Sequence, residues 1–99
     1  MNQNFLVRTF VGHTNWAHVL AFSPNGRYLA TEIDTGVVSL SEVITGQEIR
    51  RWKAHPENIS RVAFSPNSQY LATGSDDKTV KVWEVSSAEL IQTFDNFDV

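Results

Sequence analysis

Three histidines, His13, His18 and His55, eleven carboxylates and a scatter of hydroxyls are the groups in this sequence able to carry chemistry. A His with a Ser or Thr and an Asp forms a hydrolase triad when the hydroxyl is an activated nucleophile at the mouth of a pocket. A zinc site needs ligands at short local spacing, and neither His13 nor His55 has a partner so placed. Cysteine is absent, which excludes thiolate ligands, cysteine nucleophiles and disulfides together and leaves the redox compartment open. Arg50-Arg51-Trp52-Lys53 is the one basic cluster. An aromatic among cations suits phosphate or heparin, but the ordinary reading is a solvated outer strand with Trp52 partly shielded. What each set does depends on the elements that hold it.

The 99 residues are 41% hydrophobic, 19% charged and 11% aromatic, the composition of one small globular domain. A formal net charge of -3 offers no basic excess for phosphate backbones or anionic lipid, so nucleic acid and membrane are not expected partners. No apolar run approaches the roughly 20 residues that span a bilayer. The start, Met1-Asn2-Gln3-Asn4, lacks the charged and apolar regions of a signal peptide. A soluble, cytoplasmic protein is the expectation.

An internal repeat organises the chain. Ala21-Phe22-Ser23-Pro24-Asn25 returns as Ala63-Phe64-Ser65-Pro66-Asn67, and Tyr28-Leu29-Ala30-Thr31 as Tyr70-Leu71-Ala72-Thr73, each displaced by 42 residues. The same displacement carries His13 to His55, Asp34 to Asp76, Val38 to Val80 and Glu42-Val43 to Glu84-Val85. Within each copy, turn residues cut the chain into four short apolar runs, which favours strands. In the first copy these are Ala17 to Phe22, Tyr28 to Glu32, Val37 to Val43 and Glu48 to Trp52. In the second they are Ile59 to Phe64, Tyr70 to Gly74, Thr79 to Val85 and Leu90 to Phe94. Ser-Pro-Asn-Gly at 23 to 26 suits a tight turn. Ser68 replaces Gly26 in the second copy, at about 1 kcal/mol if that position is left-handed. The first strand of the first copy is apolar on both sides, so both of its faces are expected to be covered. The charges Glu48, Arg50 and Arg51 suit an outer edge.

The last strand occurs three times, since Phe10, Trp52 and Phe94 are 42 apart, as are Val7, Ile49 and Ile91. The expected fold is all-β: two four-stranded antiparallel sheets plus one surplus N-terminal outer strand. Its parts are that strand at 5–10, repeat 1 at 11–52, repeat 2 at 53–94 and a tail at 95–99.

Gly12-His13-Thr14-Asn15-Trp16, Ala21 to Gly26 and Leu71 to Glu84, with its Gly74-Ser75-Asp76-Asp77 and Val82-Trp83, resemble two tandem WD40 repeats, whose period is about 40 to 45 residues. The resemblance implies β-propeller blades and a scaffold role without catalysis or cofactor. It also implies a structural hydrogen-bonded network of a loop His, a strand hydroxyl, a turn Asp and a strand Trp: His55, Thr73, Asp77 and Trp83. Repeat 1 departs from the pattern: it keeps His13 and Thr31 but has Thr35 at the Asp position and Ser41 at the Trp position. A weaker first blade is expected. On this reading the hydrolase triad becomes a buried structural set.

The resemblance further implies a partner face at one end of the blades, with Trp16, His18 and Asp34 from repeat 1 and Asn58, Ser60 and Asp76 from repeat 2. Trp16 offers the large contact area of an interface centre. Two blades do not close a ring. Closure is expected from identical copies, three for six blades or four for eight, or from a longer propeller of which this chain is the opening segment. An enzyme assembled at a subunit interface is the remote alternative. The identity of any partner protein or peptide is not encoded in a short motif.

Overall fold

In the computed structural model, residues 19–95 are described, and they form eight strands. These are β1 (Leu20–Phe22), β2 (Tyr28–Asp34), β3 (Val37–Glu42), β4 (Glu48–Lys53), β5 (Ile59–Phe64), β6 (Tyr70–Ser75), β7 (Val80–Glu84) and β8 (Leu90–Phe94). They make two antiparallel meanders, in the orders β1-β2-β3-β4 and β5-β6-β7-β8. The strands β5 and β8 coincide with their expected bounds. The second strand of each sheet runs one or two residues longer than expected, to Asp34 and Ser75. The surplus strand at 5–10 lies outside the described residues.

Backbone corners follow the repeat. Gly26, Gly36 and Gly46 have φ of 75°, 72° and 73°, and the residues 42 positions on, Ser68, Lys78 and Ala88, have φ of 63°, 71° and 60°. Each blade is therefore turned at three left-handed positions, held by glycine in the first blade and by ordinary residues in the second. An L side chain there costs roughly 1–2 kcal/mol. Ser68 meets that strain while its hydroxyl accepts from the Asn25 amide of the other blade at 3.1 Å.

Strand pairing sorts the side chains onto faces, because directly opposed residues point the same way. Ala21 opposes Ala30, Ala30 opposes Leu40 and Val38 opposes Trp52, so these share one face of the first sheet. Leu20 with Thr31 and Ser39, and Phe22 with Leu29 and Ser41, share the other. In the second sheet, Ala63, Ala72, Val82, Gly74 and Val80 lie on one face, and Val62, Thr73, Phe64, Leu71 and Trp83 on the other. The core sits between the sheets, where Ala30, Val38 and Leu40, with Tyr28 and Trp52, meet Leu71 and Trp83, with Val62 and Phe64. The Trp52 and Trp83 rings lie 5.7 Å apart at 58°, a tilted aromatic pair.

The first strand is not covered on both faces. Leu20 and Phe22 are 50% and 45% exposed. Among the described residues two sheets make a single interface; the outer face of the first still buries Leu29, Thr31, Ser39 and Ser41, whereas the outer face of the second is more open. The repeat displays this directly: Ala30, Val38 and Leu40 are at most 1% exposed, whereas their counterparts Ala72, Val80 and Val82 are only half-buried.

Candidate functional site

The second sheet brings His55, Thr73, Asp77 and Trp83 together. His55 is delivered by the connection after β4, Thr73 lies in the middle of β6, Asp77 in the β6–β7 turn and Trp83 in β7. His55 Nδ1 is 2.9 Å from Asp77 Oδ2, and Nε2 is 2.7 Å from the Thr73 hydroxyl. The Trp83 indole donates to that same hydroxyl oxygen at 3.0 Å. The directions are mutually consistent for a ring carrying its proton on Nδ1. Nδ1–H donates to Asp77, Nε2 accepts from Thr73, and the Thr73 oxygen accepts from Trp83. Thr79 is a fifth member, its hydroxyl and amide donating to Asp77 Oδ1 at 2.6 and 2.9 Å. Ser75 fixes the turn, accepting from the Asp77 amide at 3.1 Å and donating to the Asn58 carbonyl at 2.8 Å.

This set holds structure and does not poise a nucleophile. His55 and Thr73 are fully buried, and the Thr73 oxygen is occupied by an indole donor on one side and the imidazole on the other. Burial alone pushes the Asp77 carboxyl up. Hydrogen bonds from the Thr79 hydroxyl, the His55 ring and the Thr79 amide outweigh it and hold the carboxyl below its ordinary value. A lowered folded-state pKa stabilises the fold above the unfolded value, about 4, and that contribution disappears as pH falls through the folded value. Asp77→Ala is expected to cost on the order of 1–3 kcal/mol, because the His55 donor loses its acceptor. Thr35→Ala, at the matching exposed position, is expected to stay within about 0.5 kcal/mol. Chemical denaturation measures both. Acid titration of Asp77→Asn should show a flatter loss of stability below about pH 4.

In repeat 1, Thr31 and Ser41 are buried and Thr35 lies exposed in the two-residue β2–β3 turn; His13 lies outside the described residues. The turn is rearranged, with Asp34 opposing Val37 past a bulge. Its Gly36 is the hub of a joint that sequence reasoning missed. The Gly36 carbonyl accepts from the Ala54 and His55 amides at 2.7 and 3.1 Å, and its amide donates to Glu32 Oε2 at 3.0 Å. That same carboxylate oxygen accepts from the Ile59 amide of β5 at 2.9 Å. Glu32 is thus a buried carboxylate clasping the first blade to the second, at the position where repeat 2 has Gly74.

Of the expected partner face, Asp34, Asn58 and Asp76 are exposed at the same end of the two sheets. The Asp76 amide is bound to the Asn58 carbonyl at 3.0 Å, and the Asp34 carboxylate accepts from the Thr35 amide at 2.8 Å. Ser60 is half-buried, and its hydroxyl donates to the Gly74 carbonyl at 3.2 Å. Trp16 and His18 lie outside the described residues. The basic strand is engaged at home: Arg51 pairs with Glu48 at 3.0 Å, Lys53 donates to the Thr35 carbonyl at 2.7 Å, and Arg50 reaches the Ser86 carbonyl of the second blade at 3.1 Å. A cleft of about 250 Å³ lies at the opposite end, between the two β-turns, lined by amides and hydroxyls such as Asn25, Asn67, Ser68 and Gln69. Among the described residues, no group of three or more His, Cys, Asp or Glu is placed to hold a metal ion.

The family described as "WD domain, G-beta repeat" matches residues 4–37 and 46–84, most of the chain. The chain belongs to the WD40 family. WD40 propellers generally serve as non-catalytic platforms for protein interaction. Solved structures agree on the fold. The WD40 repeats of RRP9 and the protein U3-55K each superpose with a TM-score of 0.83 at 21% identity, over 91% of this chain and 29% of theirs. The β-propeller domain of Cps50 (Swd1) from Myceliophteria thermophila gives a TM-score of 0.74 at 20% identity, over 80% of this chain and 25% of that one. The chain therefore spans less than a third of these propellers. No curated protein matches it in sequence.

Proposed function

We propose that this WD40 chain is a non-catalytic protein-interaction module that completes a propeller by joining copies of itself, three for six blades or four for eight. The observation that carries the reading is the apolar side-chain surface that, among the described residues, each blade leaves exposed on the side away from the other. Leu20 and Phe22 are about half-exposed on the first, and Ala63, Ala72, Val80 and Val82 lie exposed or half-buried on the second. Apolar sheet surface of this kind on a water-soluble chain marks an association site. The completed ring would gather the end of the blades that carries Asp34, Asn58, Ser60 and Asp76, to which the resemblance to WD40 repeats also assigns Trp16 and His18, into one continuous face for a protein or peptide partner. An isolated pair offers only an arc of it.

A second reading is that the two blades belong to a longer propeller, favoured by the small share of each matched propeller that they span. Absolute mass by light scattering tests the first reading on the 99-residue chain. Three or four chain masses, with a melting temperature that rises with concentration, are expected. A folded monomer with a concentration-independent melting temperature overturns self-assembly and leaves the second reading.

A further inference from the structure

Asn25 is the asparagine of this chain that precedes a glycine; every other one precedes Gln, Phe, Trp, Ile or Ser. An asparagine so placed can lose its side-chain amide to its own backbone. The next amide nitrogen closes an imide ring on the carboxamide carbon, and no Cβ crowds the approach. Here the groups lie at the surface. Pro24, Asn25, Gly26 and Arg27 are exposed, and nothing lies within 4 Å of where a Gly26 Cβ would stand. Asn25 Oδ1 accepts from the Ser23 hydroxyl at 2.6 Å and from the Arg27 amide at 2.9 Å. The Ser23 oxygen in turn accepts from the Tyr28 amide at 2.9 Å, so its own proton is aimed at Asn25. Both donors meet the negative charge that develops on Oδ1 when the carbon beside it is attacked.

The repeat supplies the comparison. Asn67 Oδ1 accepts from the Ser65 hydroxyl at 2.6 Å and from the Gln69 amide at 3.0 Å, the same kinds of donor 42 positions on. Two things differ. The next residue is Ser68, whose Cβ crowds its amide and whose side chain is buried against the other blade. The group that would depart, Asn67 Nδ2, donates to Gln69 Oε1 at 3.1 Å. Asn67 is the unreactive twin in the same turn.

We propose that Asn25 is a modification site, at which the folded chain deamidates itself and the isoaspartate product loosens the seam between the blades. A brief opening of the exposed turn frees the Gly26 N–H from the Ser23 carbonyl, its partner at 2.9 Å. Gly26 N then bonds to Asn25 Cγ and gives its proton to water, while the Cγ–Nδ2 bond breaks and Nδ2 takes a proton from water to leave as ammonia. Water adds to either carbonyl of the imide and opens it to aspartate or isoaspartate; nothing is oxidised or reduced. Aspartate keeps the oxygen that Ser23 and Arg27 hold. Isoaspartate routes the backbone through Cβ and Cγ, and the added methylene breaks the fit of the turn. That turn carries the Asn25 amide, which donates to Ser68 Oγ of the other blade at 3.1 Å, beside the cleft both residues line. Either product adds a negative charge to a chain whose formal net charge is -3.

Ageing the wild-type chain at neutral to mildly basic pH, with peptide mapping by mass spectrometry, tests the site. Asn25 is expected to convert faster than Asn67 by about tenfold or more, the open approach against the crowded one. Labelling by an isoaspartyl methyltransferase identifies the isoaspartate. Gly26→Ala is expected to preserve Asn25, and Ser68→Gly to make Asn67 reactive. Circular dichroism reports that each variant is folded, and either one alone decides the role of the following residue if the other misfolds. The isoaspartate form, separated by ion exchange, is expected to melt below the Asn25→Asp variant, which should melt with the wild type. Retention of Asn25 in the folded chain, while the same chain in urea converts it, overturns the site. An Asn67 that stays inert in Ser68→Gly, or an Asn25 that still converts in Gly26→Ala, overturns the role given to the following residue. An isoaspartate form that melts with Asn25→Asp overturns the loosening of the seam.

Discussion

Gly36→Ala is expected to destabilise the protein by about 3 kcal/mol or more, from two separate causes. The residue is left-handed at φ 72°, which costs an L side chain roughly 1–2 kcal/mol. In addition, a Cβ there would stand 1.8 Å from the His55 carbonyl oxygen and 2.8 Å from its carbon, backbone atoms that no rotamer change removes. Forcing space into a packed site costs typically a further 1–3 kcal/mol. The displaced atoms belong to the residue whose ring anchors the second blade, and the Gly36 carbonyl holds the amides of Ala54 and His55. Damage in a turn of blade one should thus appear in blade two, as changed emission from Trp83. Gly26→Ala is the control: the same backbone strain applies at φ 75°, but nothing lies within 4 Å of the added carbon. Urea titration followed by tryptophan fluorescence should give a loss for Gly36→Ala at least twice that for Gly26→Ala. Equal losses would show that backbone strain alone matters and that the contact with His55 relaxes freely.

Trp83→Ala should cost about 3–5 kcal/mol, the range for deleting a large buried aromatic. The indole is buried between the sheets against Trp52, and its N–H donates to Thr73. The substitution therefore removes packing and a donor together. Trp83→Phe separates them, because most of the ring area survives while the Thr73 oxygen loses its indole donor. A loss of about 1–2 kcal/mol is expected for that variant, near the value of a buried hydrogen bond together with a small packing defect. Thermal and denaturant unfolding of the three chains provides the comparison. If Trp83→Phe were as damaging as Trp83→Ala, the hydrogen bond would dominate the position; if it were harmless, only the ring volume would matter.

Much of this was legible from the chain because the repeat supplied a second reading of every segment. Strand positions and sheet orders follow from short apolar runs, turn residues and a shared register, whereas the His55, Thr73, Asp77 and Trp83 set comes from the resemblance to WD40 repeats. Thr79 was missed although the pattern Asp77-Lys78-Thr79 is a short side-chain turn, in which an Asp oxygen captures the amide and hydroxyl two residues on. Glu32 was missed for a different reason. A glutamate in a strand reads as a solvent-facing residue, and only the partner amides of Gly36 and Ile59, one near in sequence and one distant, turn it into a buried clasp. The available signal was a mismatch between copies, a carboxylate where the other copy has Gly74. Exposure of Leu20 and Phe22 was misread because an apolar strand reports what its sheet is suited to pack against, whereas the described residues provide one neighbouring sheet.

The three left-handed corners that both blades share make the duplicated halves unequal in how their sequences can drift. Lys78 and Ala88 hold conformations that glycine adopts without penalty, so replacement by glycine relaxes them, and Ser68 resists only through its bond to Asn25. The reverse exchange is obstructed at Gly36 by the His55 backbone, whatever residue is tried. Substitution at this corner is a one-way street: the second blade can come to look like the first, while the first is held at its present residue by a contact with its neighbour. A duplication that began with two identical units would in this way acquire a fixed copy and a permissive one, the difference set by which of them has a blade standing behind its turn.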